Sequence, residues 1–144
     1  MPEPIRHRLR VRYNECDRLG IVFNANYLVY ADIAVNELWR ERLGGYSSLM
    51  DEGLDLAVAS AEIQYLAPLR FDDEIDLVIS VGHVGNKSMS TVVNIEKDGT
   101  RAAEIKLSYV CVDQEFGKSQ LIPDRVRSAL DPDAGPDDPV GITA

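Results

Sequence analysis

One stretch of this chain repeats at the helical period while almost every other stretch alternates, and that contrast limits what it can fold into. From about Asn24, the residues Tyr27, Tyr30, Ala31, Ala34 and Leu38 recur at i, i+3, i+4, i+7 and i+11, which is a single buried stripe. Leu28, Val35 and Trp39 widen the stripe, and Asp32, Asn36 and Arg40 leave only a narrow polar edge. Asn24 and Asn26 are both suitable N-caps, because a short side-chain acceptor satisfies free N–H groups of a first turn. Gly44-Gly45 supplies the stop. The expected helix is about 18 residues, or ~27 Å, long. A helix apolar over so much of its surface must be covered on most sides.

The covering material has period two. Residues 5–13 (IRHRLRVRY) set Ile5, His7, Leu9, Val11 and Tyr13 on one face and Arg6, Arg8, Arg10 and Arg12 on the other, so a strand with one packed face is expected. Residues 14–23 break the alternation and form a connection. After the helix, strands are expected over 55–66, 74–84, 88–97 and 100–113, with turns at Gly85-Asn86 and Asp98-Gly99. A short helical piece follows Pro123, over 124–130. Strand, long helix, then four strands joined mainly by hairpins is the α+β class, an antiparallel sheet of about five strands wrapped around one long helix. Such a sheet has edges that commonly pair in a dimer.

The length of 144 residues fits one domain. The net charge of −9 and pI near 4.6 exclude nonspecific nucleic-acid binding, which needs a basic face. Four of those negative charges are aspartates in residues 131–144 (DPDAGPDDPVGITA), which read as an acidic, proline-rich disordered tail and leave −5 for a folded domain over residues 1–130. No apolar run is long enough to span a membrane, and the basic N-terminus lacks the apolar core of a signal peptide. Two cysteines make neither a disulfide framework nor a metal cluster, so the expected location is cytoplasmic, with no metal.

Few residues are placed for chemistry. There is no phosphate-cradling glycine loop and no G-x-S-x-G, and His7 and His83 fall inside expected strands. What remains is the connection before the helix. There Asp17 stands near a helix N-terminus, whose free N–H groups stabilise an oxyanion while a carboxylate acts as nucleophile or base; bracing of the loop is the competing reading. Cys16 is the other nucleophile, without an evident base. The arginines of 6–12 are either a solvated strand face or a docking strip for a phosphorylated ligand or acidic carrier.

Residues 11–44 (VRYNECDRLGIVFNANYLVYADIAVNELWRERLG) resemble the opening motif of the hotdog-fold acyl-CoA thioesterases, in the 4-hydroxybenzoyl-CoA thioesterase family, with Tyr13, Asp17, Gly20, Val22, Asn26 and Tyr27 falling on it in order. Pro68 with Phe71-Asp72-Asp73, and Asp113, Gly117 and Pro123, resemble the family's later motifs, which carries the likeness over about residues 5–130. The resemblance implies the hotdog fold and hydrolysis of an acyl- or aroyl-CoA thioester, with Asp17 as the catalytic carboxylate and the backbone at Asn24 polarising the carbonyl. Asn24 departs from the His or Tyr of many relatives and cannot act as a base. Glu15 is implied as a brace or charged neighbour of Asp17. Tyr13, Gly20, Val22, Asn26 and Tyr27 are then expected at the substrate, and Arg8 and Arg10, with Arg18, at the CoA phosphates. CoA enters as part of the substrate and no cofactor is implied; the implied assembly is a homodimer or homotetramer. The alternatives are a thioesterase acting on an acyl carrier protein and a noncatalytic acyl-binding hotdog domain.

Overall fold

The computed structural model describes residues 3–131. Five strands, β1 (Ile5–Arg10), β2 (Leu54–Tyr65), β3 (Glu74–Val84), β4 (Ser88–Lys97) and β5 (Thr100–Asp113), form one antiparallel sheet in the order β1-β3-β4-β5-β2. The long helix α1 (Asn26–Leu43) lies on one face of it; α2 (Ser47–Met50) and α3 (Asp124–Leu130) are short. This is the hotdog arrangement of the sequence reading. Among the described residues, no helix is long and apolar enough to cross a membrane.

The core forms where the period-3.6 stripe meets the inward-facing residues of the three central strands. Tyr27, Tyr30, Ala31, Ala34, Val35, Leu38 and Trp39 of α1 are buried with Ile75, Leu77, Ile79, Val93, Ile95, Ile105 and Leu107. Leu28, expected to widen the stripe, is exposed instead. α1 stops at Gly44, whose φ of 75° is open to glycine at little strain and whose N–H closes on the Arg40 carbonyl. Its start differs from expectation. Neither asparagine caps it: Ala25 occupies the N-cap position and makes no side-chain cap, and the Asn26 amide is turned toward the preceding loop.

Two other expectations change at the sheet edges. β1 ends at Arg10, and Tyr13 opens a 3-10 turn rather than extending the strand, which leaves its ring 81% exposed instead of packed. β2 has the expected bounds to within one residue, but as an edge strand it leaves Ala57 to Glu62 exposed, with Val58 59% exposed beside a bulge between Val58 and Ser60. At the other end, Asp131 is buried and its N–H closes α3 on the Arg127 carbonyl, so the fold includes the first residue of the expected tail. The rest of that tail, 132–144, lies outside the described residues.

Candidate active site

The segment after β1 is built as a small platform against the start of α1. Cys16 pairs with Val22, and Ile21 with Arg70, in two isolated antiparallel bridges. Between the halves of the first bridge the chain turns at Asp17–Gly20: the Gly20 N–H donates to the Asp17 carbonyl at 3.0 Å and the Asp17 N–H to the Ile21 carbonyl at 2.9 Å. Gly20 has φ of 78°, and nothing lies within 4 Å of where a Cβ would stand, so what a side chain would meet there is backbone strain rather than crowding. Asp17 sits at the turn's first corner, where its Oδ1 accepts the Leu19 N–H at 2.8 Å. Among the described residues Oδ2 accepts no hydrogen bond. The carboxylate is therefore oriented through one oxygen and open at the other.

Glu15 fastens this platform to the helix. Its Oε1 accepts the Tyr30 hydroxyl at 2.8 Å and the Arg12 N–H at 2.7 Å, and its carbonyl accepts the Phe23 N–H at 2.9 Å and the Asn26 amide at 2.8 Å. Tyr30 is fully buried, and burial together with the Glu15 carboxylate pushes its hydroxyl far above the ordinary phenol range, so it stays a donor. These bonds hold Phe23 and Asn24 alongside Glu15, two residues from Asp17.

The remaining expected site residues divide. Asp17 and Gly20 line one open groove of about 620 Å³ with Tyr13, Cys16, Arg18 and Phe71. Asn24 is exposed at the helix start, and its carbonyl accepts the Tyr65 hydroxyl at 3.0 Å. Three others make contacts inside the fold. Val22 is buried with its N–H on the Leu69 carbonyl, Tyr27 is buried with its ring edge-on to Tyr65, and the Asn26 amide braces Glu15. Cys16 donates its thiol to the Arg12 carbonyl at 3.7 Å, and burial, with Glu15 and Asp17 nearby, raises its pKa and keeps it the unreactive thiol.

Arg8 and Arg10 are already paired within the sheet. They face a neighbouring strand that is acidic in register: Arg8 pairs with Asp76 at 3.0 Å and Glu74 at 3.1 Å, Arg10 with Glu74 at 2.8 Å and Asp72 at 3.6 Å, and Arg6 with Glu96 at 3.0 Å and Asp76 at 3.2 Å. Three arginines thus meet four carboxylates, and the basic strip of the sequence is not a basic surface of the molecule. Arg12 and Arg18 join no ion pair among the described residues, and each lines a groove that also includes Tyr13 and Phe71.

Sequence reasoning missed Phe71, Tyr65 and Tyr30 as parts of this neighbourhood. Phe71 packs edge-on against Tyr13 at 5.8 Å, and both rings stand exposed between the two grooves. Its signal in the sequence was the Phe71-Asp72-Asp73 motif; nothing local linked it to a residue 58 positions earlier.

A family model described as "Thioesterase-like superfamily" matches residues 11–130. The chain is 28% identical over 118 residues to the acyl-CoA thioester hydrolase YbgC of Escherichia coli O157:H7, covering 80% of this chain and 87% of that relative. Among solved structures it is similar to a protein (AQ1494) from Aquifex aeolicus, with a TM-score of 0.83, 28% identity, and 88% and 99% of the two chains covered. It also resembles BH1999 gentisyl-coenzyme A thioesterase, with a TM-score of 0.77, 27% identity, and 88% and 98% covered.

Proposed function

Since this chain belongs to the thioesterase-like superfamily, we propose that it hydrolyses an acyl- or aroyl-CoA thioester to the free acid and CoA, with Asp17 as nucleophile or general base. The observation that carries this reading is the Asp17 carboxylate, fixed through Oδ1 and free at Oδ2, on a platform hydrogen-bonded to the start of α1. As a base, Asp17 takes a proton from water while the resulting hydroxide adds to the thioester carbonyl. The oxyanion meets free N–H groups at the helix start, and its collapse releases the CoA thiolate, which takes up a proton. As a nucleophile, the carboxylate adds to the same carbonyl and expels the thiolate, leaving a mixed anhydride that water cleaves at the Asp17 carboxyl carbon. Single-turnover hydrolysis in ¹⁸O-water separates the two: label reaches the product acid directly in the first and only after a second turnover in the second.

CoA is favoured over an acyl carrier protein as the acyl donor, because the arginine strip that would dock an acidic carrier is neutralised by Asp72, Glu74, Asp76 and Glu96. Arg12 and Arg18 are the cations proposed to meet the CoA phosphates in place of Arg8 and Arg10. The likeness to 4-hydroxybenzoyl-CoA thioesterases and to gentisyl-CoA thioesterase makes aroyl-CoA esters the first substrates to try. We read β2 as the edge through which two copies pair.

The test is release of free thiol over a panel of acyl- and aroyl-CoA esters for the parent and Asp17→Asn. Loss of a proton-transfer group predicts a fall in kcat of roughly 10²–10⁴-fold. Undiminished activity in Asp17→Asn would overturn the role of Asp17, and a parent that cleaves no thioester would leave the acyl-binding reading.

A further inference from the structure

The helix start of the site is also held from the far edge of the sheet. β2 ends at Tyr65, whose hydroxyl donates to the Asn24 carbonyl at 3.0 Å. That carbonyl accepts the Tyr27 N–H as well, at 3.4 Å. A trans peptide carries its C=O and N–H on opposite sides. The Asn24–Ala25 peptide, gripped at its oxygen, therefore presents the Ala25 N–H away from both donors. Among the described residues, the N–H groups of Asn24 and Ala25 have no acceptor, as befits the first turn of a helix. Hydrogen bonds accepted by a peptide carbonyl polarise the N–H of the same unit, which strengthens it as a donor.

The Tyr65 ring is fixed independently of its hydroxyl. It packs edge-on against Tyr27 with centroids 5.0 Å apart, and Tyr27 is itself buried. Tyr65 is 52% exposed, so water was available to its hydroxyl, and burial did not force it onto Asn24. The ring contact aims the phenol, and the phenol holds the peptide.

We propose that Tyr65 is a positioning residue for thioester hydrolysis: it fixes and polarises the Asn24–Ala25 peptide so that the N–H groups of the helix start meet the oxyanion formed from the thioester carbonyl. The inference rests on reading Asp17 and the start of α1 as the hydrolytic site. It reaches beyond the opening motif, to a residue 41 positions later on another element.

Tyr65→Phe keeps the ring on Tyr27 and removes only the donor. The expected result is a fall in kcat of roughly 3- to 10-fold, the size set by one neutral hydrogen bond, with KM and Tm unchanged. A polyfluorinated tyrosine placed at position 65, which loses its phenolic proton at lower pH and then cannot donate, should move the alkaline loss of kcat down the pH axis; a purely structural ring would not. Parent-like kcat in Tyr65→Phe, a loss that follows KM or Tm instead, or a pH profile indifferent to the fluorinated residue would each overturn the proposal. If the parent is active, Asp17→Asn inactive and Tyr65→Phe unaffected, only the role of Tyr65 falls. If the parent cleaves no thioester, the hydrolytic reading and this proposal fall together.

Discussion

The two edges of the sheet are finished in opposite ways. β1 is six residues long, and its outward arginines close on Asp72, Glu74, Asp76 and Glu96. β2 is twelve residues long and leaves small and apolar side chains open, Val58 foremost. A charged, short, ion-paired edge discourages a further strand, whereas a long one with small apolar residues invites it. Both strands lead toward the site, and each is fastened to it by one tyrosine hydroxyl. The buried Tyr30 of α1 holds Glu15 in the loop after β1, and the half-exposed Tyr65 of β2 holds Asn24 at the head of α1. One fastening is a core contact and the other a rim contact, so the same chemistry carries different weights.

Three substitutions would break or sharpen that contrast. The largest effect is expected from Val58→Asp, which sets a charge on the open edge. On the proposed pairing, sedimentation should show the dimer replaced by monomer, and thioesterase activity should fall with it. An unchanged assembly would remove the distinction between the edges. Tyr30→Phe comes next. It takes a buried donor from Glu15, so urea unfolding should show a loss of about 1–3 kcal/mol, with a fall in kcat as the Asp17 platform loosens. Equal stability would mean that the backbone bonds of Glu15 hold the platform alone.

Arg8→Ala should do least. Its guanidinium is exposed, so the loss of stability should be the smallest of the three, and KM for acyl-CoA should not change. A raised KM would restore the arginine strip as a phosphate site. The pH dependence checks the pairing itself. Arg8 foremost, then Arg6, holds the Asp76 carboxyl below the ordinary carboxylate range against the opposing effect of burial. A carboxyl depressed in the folded state stabilises above its unfolded pKa and ceases to as pH falls through its folded one. The stability gap between parent and Arg8→Ala should therefore close in acid.

Most of the architecture was legible because periodicity states which face of an element is buried. The α1 stripe from Tyr27 to Trp39 and the bounds of β3, β4, β5 and α3 follow from alternation and turn chemistry within a few residues of each other. Asp17 and Gly20 were legible as a turn before a helix. What alternation does not state is what stands opposite. Arg8 and Asp76 are 68 positions apart, Tyr65 and Asn24 are 41 apart, and Tyr13 and Phe71 meet across two loops. A strand's basic face reads as basic until its neighbour in the sheet is known. An apolar run reads as interior until its place at the edge is known, and so the exposure of Val58 and the neutrality of the arginines both escaped.

The order β1-β3-β4-β5-β2 also sets a timetable. β3, β4 and β5 are consecutive hairpins and can form as soon as they exist, since the loops they close are short. β2 pairs only with β5, so its first residue, Leu54, waits for Asp113 before that end of the ladder can close. During synthesis the apolar strand thus stays unpaired from Tyr65 until its first partner, Ala103, has been added. β1 waits longer still, Arg10 for Glu74, but its arginines discourage a wrong partner, whereas β2 waits with small and apolar side chains open, and crowding of nascent chains should be most hazardous in that interval.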